Sequence, residues 1–196
     1  MPINIDDKIL DFVYVLAMRD ATQQKAFNAS DKKDLWEDKT ARAQIIGLLK
    51  NHISNIITGK YKNQQSYDSD FDILAKAINS TTKSQFSYSI DFEFGNCQKL
   101  INMFVKFIYI TTYKQSTLKE NFEYCHCPMD SIMLKDVWNK NDSDLKNLGY
   151  KRDDFLCSWS KEKFSNHKRY DEFQNQIRKL SSANTCCPIE YDYIIW

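Results

Sequence analysis

Residues Phe94 to Ile110 read FGNCQKLINMFVKFIYI, and this run predicts a helix that is apolar around most of its circumference. At about 100° per residue, the polar and tyrosine side chains from Gln98 onward fall within an arc of about 100°, and apolar side chains fill the remaining arc of about 260°. The predicted helix extends from Gly95 to about Tyr113. We call its polar edge the polar stripe, which consists of Gln98, Lys99, Asn102, Lys106, Tyr109 and Tyr113.

The polar stripe has two interpretations. Two ammonium groups and two carboxamides on one edge of a core helix offer several convergent donors, which suits an anionic or planar ligand. Alternatively, the stripe is the solvent face of an amphipathic helix, with Lys99 and Lys106 in water and with Gln98 and Asn102 satisfied by neighbouring groups, since exposed lysines on helices are common. The spacing of its amides favours a function, because amides beside so apolar a helix are costly unless they are paired. We predict that the ligand-binding residues are Gln98, Lys99, Asn102, Lys106 and Tyr109.

Apolar spacing predicts further helices on both sides of this run. They cover residues 5–19, 70–78, 128–138 and 160–180, and a longer helix runs from a cap at Ser30 or Asp31 to about Ile57. Residues 60–70 and 139–151 are polar without periodicity, so they predict exposed connections.

Residues 86–94 and 188–196 predict a small sheet. FSYSIDFEF alternates apolar with polar side chains without a fault, and PIEYDYIIW also alternates. A lone strand cannot satisfy its backbone, so the two segments are expected to pair. The predicted fold class is therefore mainly α (α+β), with one helical domain over residues 1–196 and a small antiparallel sheet of two or three strands.

Composition excludes several function classes. The four glycines lie too far apart for a phosphate-cradling loop, which excludes dinucleotide-binding folds and P-loop NTPases. A net charge of +1 does not indicate a nucleic-acid partner. No run approaches the roughly 18 consecutive apolar residues of a membrane-spanning helix, and the first residues are acidic where a signal peptide is basic. We predict a cytoplasmic protein with no membrane partner and with its six cysteines reduced.

The segment CHCPMD, residues 125–130, supplies the candidate catalytic residues His126 and Asp130. Pro128 suits the first turn of the following apolar helix, and Asp130 lies near the N-terminal end of its dipole. A histidine at this place can act as a general acid or base, can bond Asp130, or can be a neutral packing residue. The constellation lacks a nucleophile, which weighs against catalysis.

A zinc site is a further alternative for the same segment. The thiol and imidazole donors are Cys125, His126, Cys127, Cys157, Cys186 and Cys187. Structural zinc usually draws its ligands from C-x-x-C pairs, and adjacent cysteines rarely both reach one ion. We therefore predict no metal and no cofactor, with the free cysteines acting as small buried apolar residues.

Two motifs resemble a motif pair of uncharacterised bacterial proteins. They are FGxxQKxxNxxxKF at residues 94–107 and HCPxD at residues 126–130. The resemblance implies that one site is formed by Gln98, Lys99, Asn102, Lys106, His126 and Asp130. Such proteins carry a tyrosine after the last lysine, where this chain has Phe107, so a hydroxyl role at that position is not expected. No activity comes with the resemblance.

Three functional hypotheses follow, of which we favour the first. The chain is a binding or interaction protein that recognises a small anionic ligand or a partner protein through the polar stripe, as an accessory of a bacterial defence system or mobile element. Alternatively, it is an enzyme acting on nucleotides or nucleic acid, with His126 as general acid or base and Asp130 orienting it. In the third hypothesis it is a structural or inhibitory protein whose anchors are Trp36, Trp138, Trp159 and Trp196. The number of subunits is left open.

Overall fold

The structure, a computed structural model, describes residues 5–22, 39–85, 92–114 and 116–195. A π-helical turn, Tyr109–Tyr113, continues one helix, and short 3-10 turns form at Lys119–Phe122 and Trp159–Lys161. None of the helices in these ranges is long and apolar enough to cross a bilayer. The α-helices are α1 (Asp7–Thr22), α2 (Lys39–Ile57), α3 (Gln64–Gln85), α4 (Phe94–Ile108), α5 (Ser131–Asn147), α6 (Arg152–Phe155), α7 (Lys168–Ala183) and α8 (Pro188–Ile195).

Helix α4 lies at the centre of the described structure. Helix α1 packs along it most extensively, and α2, α3 and the turn at Trp159–Lys161 contact it from other sides. Most of its side chains are buried, including the polar residues Gln98, Lys99 and Asn102. The apolar arc read from the sequence therefore marks the core helix of the fold.

The start of α4 is fixed by a close backbone approach at Gly95. A Cβ atom built on Gly95 would lie 2.4 Å from the carbonyl oxygen of Trp159 and 2.9 Å from the Cα of Ser160. The Gly95 amide also donates a hydrogen bond of 3.0 Å to the carbonyl of Glu162. Because the obstructing atoms are backbone, only glycine allows the 3-10 turn to lie against α4.

The predicted helical character is confirmed, but the predicted sheet is wrong. Residues 188–195 form α8, in which Pro188 takes the first position that suits its fixed φ. The buried members of α8 are Pro188, Ile189, Tyr191 and Asp192, which is the spacing of one helix face. A short alternating run of this kind does not distinguish a strand from a helix, and the surroundings decide.

The other proposed strand, residues 86–94, has no partner to pair with in the described structure. Residues 86–91 lie outside the described residues, Phe92 and Glu93 lead into α4, and Phe94 is already helical. No strand occurs in the four described ranges, where an isolated bridge joins Lys163 and Asn166. The described part of the chain is thus built from helices, turns and irregular segments.

Two predicted connections and one predicted helix start differ from the structure. Helix α3 starts at Gln64, because Asn63 caps it by accepting a hydrogen bond of 2.8 Å from the Ser66 amide, so residues 64–70 are helical. Helix α5 continues to Asn147 with a kink at Asn141, where a loop was expected. Helix α7 starts at Lys168, later than the predicted residue 160. The predicted caps Ser30 and Asp31 lie outside the described residues.

Candidate functional site

The segment 125–130 is an irregular stretch of chain that is buried throughout. Two glutamines satisfy its backbone. Gln174 on α7 accepts from the amide of Cys127 at 3.0 Å and donates to its carbonyl at 2.7 Å. Gln98 on α4 makes the same two bonds with Met129, each at 3.3 Å. Since buried backbone groups must be paired, the two carboxamides take the place of a neighbouring strand.

Asn102 extends this arrangement toward α7. Its amide nitrogen lies 2.9 Å from the hydroxyl of Tyr170, 3.2 Å from Oε1 of Gln98 and 3.4 Å from the carbonyl of Cys127. Its Oδ1 atom is buried and has no hydrogen-bond partner among the described residues. The amides of the polar stripe are therefore bound inside the protein rather than exposed to solvent.

Lys99 and Asp130 form a buried ion pair at the start of α5. Oδ2 of Asp130 lies 3.1 Å from the ammonium of Lys99, and its Oδ1 accepts from the amides of Ile132 and Met133 at 2.9 Å each. Asp130 is thus the N-cap of α5, and both its oxygens are engaged. The structure brings Lys99 and Asp130 together, while the carboxylate within bonding distance of His126 is Asp68.

The far end of the polar stripe holds helix α8 in place. Lys106 pairs with the fully buried carboxylate of Asp192. Burial raises the pKa of Asp192, and the ammonium of Lys106 limits that rise. The Tyr109 hydroxyl donates a hydrogen bond to Oε1 of Glu190, which lies two residues before Asp192 in α8.

The solvent-face interpretation of the polar stripe is wrong for the two lysines, which are not in water, but its expectation that neighbouring groups satisfy Gln98 and Asn102 is confirmed. Gln98 and Asn102 are fully buried, Lys99 is 6% exposed, and both lysines have a carboxylate partner. The stripe is polar because it faces the irregular segment 125–130 and helix α8, whose own polar groups must be paired.

His126 is joined to two helices by hydrogen bonds. Its Nε2 lies 2.7 Å from Oδ1 of Asp68 on α3, and its Nδ1 lies 2.9 Å from the hydroxyl of Tyr170 on α7. A carboxylate only accepts, so the neutral ring carries its proton on Nε2 and donates a hydrogen bond to Asp68, while a guanidinium nitrogen of Arg178 lies 3.1 Å from the same ring nitrogen. Tyr170 then donates to Nδ1 and accepts from Asn102, so both ring nitrogens of His126 and the Tyr170 hydroxyl are hydrogen-bonded.

Burial sets the protonation state of this group. It lowers the pKa of His126, although the bond to Asp68 acts in the opposite direction. Burial alone raises the pKa of Asp68, but His126, Gln64 and Arg178 together outweigh it and hold that pKa below its ordinary value. Arg178 on α7 donates to Oδ1 of Asp68 at 3.2 Å. Asp68 is therefore an ionised carboxylate whose position is fixed from two sides.

A second buried histidine lies beside the first. The ring of Tyr67 separates His52 from His126, with centroid distances of 5.4 Å and 5.0 Å. Nδ1 of His52 lies 3.2 Å from the hydroxyl of Tyr61 and 3.6 Å from Oδ2 of Asp70. Burial lowers the pKa of His52, while the neighbouring imidazole of His52 lowers the pKa of the Asp70 carboxyl. One turn of α3, residues 67–70, thus supplies a carboxylate to each of two histidines.

Helices α3 and α7 enclose a polar space of about 370 Å³, which we call the α3–α7 cleft. Its floor includes His126 and Tyr170, and its rim carries the carboxylates of Asp68, Asp72 and Asp171. Burial raises the pKa of Asp171, His167 opposes that rise, and repulsion from Asp72 and Asp68 adds to it.

His167 forms one wall of the α3–α7 cleft. Its ring stacks on Phe94 at a centroid distance of 4.1 Å and an angle of 11°, and a fifth of its side chain, 20%, stays exposed. Its Nε2 lies 3.9 Å from Oδ1 of Asp72 and 4.0 Å from Oδ1 of Asp171, which is too long for a direct hydrogen bond.

Several residues of this site were not singled out from the sequence. Tyr170, Gln174 and Arg178 recur at i, i+4 and i+8 on α7, which is the spacing of Gln98, Asn102 and Lys106 on α4. That repeated spacing was the available signal. Asp68 was missed because residues 60–70 were predicted to be an exposed connection, and Asp72 lay in the predicted helix 70–78 without being singled out.

The cysteines and tryptophans occupy other environments. Among the described residues, no group of three or more His, Cys, Asp or Glu side chains is placed to hold a metal ion. Burial raises the pKa of Cys125 and of Cys127 far above the ordinary thiol value. Trp138 and Trp159 are core residues, and Trp36 and Trp196 lie outside the described residues.

Comparisons with known proteins add no functional information. No family model matches the sequence, and no curated protein or solved structure is similar enough to carry a function over to it.

Proposed function

We propose that this protein is a binding module and that the α3–α7 cleft is its recognition site. The observation that carries the proposal is the placement of Asp68, whose side chain is 43% exposed at the rim while His126 and Arg178 fix its orientation from below and beside it. A charged group held in one orientation at the mouth of a cleft binds with little loss of side-chain entropy.

Binding is favoured over catalysis because His126 has no ring nitrogen to offer a substrate. Tyr170 occupies Nδ1 and Asp68 occupies Nε2, and the ring itself is 5% exposed. A general acid or base must come within hydrogen-bond reach of the proton it transfers. The arrangement suits a rigid floor better than a proton-transfer group.

The α3–α7 cleft is a better candidate than the larger neighbouring cleft of about 520 Å³, which shares Arg178 with it. In the larger cleft, the charged side chains Lys119, Glu120 and Glu123 are exposed and lie in or beside a short 3-10 turn. The charged side chains at the rim of the α3–α7 cleft project instead from two long helices, which position groups more accurately than loops do.

A partner protein suits this cleft better than a small anionic ligand. The lysines that suggested an anion, Lys99 and Lys106, are paired with Asp130 and Asp192. The biological setting, an accessory role in a bacterial defence system or mobile element, stays a prediction.

The proposal is tested by NMR titration of the 15N-labelled chain. Methylammonium, guanidinium, glutamate and inorganic phosphate are added separately at millimolar concentration. We expect at least one of them to shift amide signals of residues that line the cleft. The substitution Ser69→Trp, which places an indole at an exposed position lining the cleft, is expected to abolish that shift.

The matched control is Ser143→Trp, which makes the same change at an exposed position on α5 and is expected to leave the shifts intact. Shifts confined to other regions, shifts that persist in Ser69→Trp, or no shifts with any of the four probes would each reject the α3–α7 cleft as a binding site.

A further inference from the structure

We infer that the α3–α7 cleft takes a guanidinium group, an inference that rests on the proposed binding function and names the chemistry of its ligand. The arginine side chain of a partner protein and a free guanidinium compound share this chemistry. Both bring a planar cation with several donors in one plane.

The charge of the cleft favours a cation. Asp68 and Asp72 lie four residues apart on one face of α3, and Asp171 lines the cleft from α7. Arg178 is the one lysine or arginine among the described residues that line the cleft. Arg178 pairs with Asp68, so its positive charge does not neutralise Asp72 or Asp171.

Asp72 and Asp171 have acceptor capacity to offer. Among the described residues, the ion-pair partner recorded for each carboxylate is the same atom, Nε2 of His167, at 3.9 Å and 4.0 Å. Their side chains are 42% and 59% exposed, so a ligand can reach both. Two carboxylates on opposite sides of a cleft can accept several donors from one guanidinium.

The wall formed by His167 is the second, independent feature. Its ring is fixed by stacking on Phe94, and its exposed part lines the cleft. Guanidinium groups stack on aromatic faces, whereas an ammonium, which is a compact point charge, gains less from a flat wall. An aromatic wall with carboxylates at its edge therefore selects a planar cation over a spherical one.

The raised pKa of Asp171 agrees with this assignment. Repulsion from Asp72 and Asp68 contributes to the shift, after burial. A bound cation would relieve that repulsion and favour the ionised carboxylate.

The inference is tested by calorimetric titration with the blocked peptide Gly-Arg-Gly and with the same peptide carrying citrulline, the neutral isostere of arginine. We expect the arginine peptide to bind and the citrulline peptide not to bind. Agmatine, a free guanidinium compound, forms a second arm. Tighter binding of the peptide indicates a partner's arginine, and tighter binding of agmatine indicates a small ligand; either result supports the guanidinium assignment.

Three variants locate the site. Asp72→Asn and Asp171→Asn are each expected to weaken binding about tenfold, since each removes one charge-assisted contact. Asp153→Asn makes the same change at an exposed position on α6, and its affinity is expected to equal that of the unmodified chain. The two cleft carboxylates are half exposed, so their variants are expected to fold, which circular dichroism checks.

The outcomes separate this inference from the proposed function. If phosphate or glutamate shifts the cleft signals and Ser69→Trp abolishes those shifts, while the arginine peptide and agmatine do not bind, the binding function stands and the guanidinium inference falls. Equal affinity for the arginine and citrulline peptides, or equal affinity of Asp171→Asn and Asp153→Asn, also overturns the inference. If no probe binds at the cleft, both proposals fall.

Discussion

The substitution Gly95→Ala tests whether the start of α4 depends on its close approach to the Trp159–Lys161 turn. The added Cβ would lie 2.4 Å from the Trp159 carbonyl oxygen and 2.9 Å from the Ser160 Cα, far inside van der Waals contact. Backbone atoms cannot rotate away as a side-chain tip can, so α4 or the turn must shift. Overpacking of this kind costs roughly 1–3 kcal/mol. For a chain of this length we expect the thermal midpoint to fall by about 3–10 °C.

The control is Gly47→Ala, which makes the same change inside α2, where a Cβ would meet nothing within 4 Å. Alanine is favoured over glycine in a helix interior, so this variant is expected to gain about 0.5–1 kcal/mol in unfolding free energy. The two unfolding free energies are measured by urea unfolding, and the thermal midpoint by heating, each followed by circular dichroism. The packing argument is refuted if Gly95→Ala is as stable as the unmodified chain, or if the two variants change stability in the same direction.

The remaining predictions concern the buried polar groups. Tyr170→Phe is expected to lower the unfolding free energy by about 1–3 kcal/mol, because Nδ1 of His126 loses its hydrogen-bond donor. The control Tyr150→Phe loses an exposed hydrogen bond of 3.4 Å and is expected to cost under about 0.5 kcal/mol. Equal losses of the two variants in urea unfolding would contradict this expectation. Because burial lowers the pKa of His52 and His126, the unfolded chain binds more protons than the folded one as the pH falls. The stability is therefore expected to be full above about pH 7 and to fall as the pH drops through the ordinary histidine pKa of about 6.5. Thermal midpoints that stay constant from pH 7.5 to pH 5 would contradict this expectation. Lys106→Met is expected to lower the unfolding free energy by about 3–5 kcal/mol at pH 8, because it leaves the buried carboxylate of Asp192 without its ammonium partner. The loss is expected to be smaller at pH 5, where the Asp192 carboxyl is more easily protonated. A loss that does not depend on pH would show that charge is not the cause.

The core helix could be predicted from the sequence because its signal is local. The apolar arc of residues 94–110 needs only helical spacing to be recognised, and the cost of burying an unpaired amide pointed to Gln98 and Asn102 as paired groups. Their partners could not be predicted in the same way. Cys127, Met129 and Tyr170 lie far away in sequence, and only the tertiary fold brings them within hydrogen-bond distance of Gln98 and Asn102.

The wrong elements share a physical cause. Residues 188–195 alternate over too short a run to determine a period, and the ion pair between Asp192 and Lys106, which holds them as a helix face, is a tertiary contact. Residues 64–70 carry many polar side chains, but several of these meet partners inside the fold, such as Asp68 with His126 and Asp70 with Tyr61. The polar composition of residues 64–70 predicted an exposed connection, but tertiary hydrogen bonds pair several of these side chains inside a helical fold.

Gln98 and Gln174, which hydrogen-bond the backbone of segment 125–130 from two helices and together form what we call the glutamine clamp, have a consequence for synthesis on the ribosome. Gln98 is made before that segment, but Gln174 follows Cys127 by 47 positions, so half of the clamp is missing while the nascent chain grows. Until α7 emerges, the amide and carbonyl of Cys127 lack this partner, and a buried segment whose backbone is not fully paired is a state that chaperones bind. A chain ending before Lys168 is therefore expected to be cut rapidly by protease at conditions where the full chain resists.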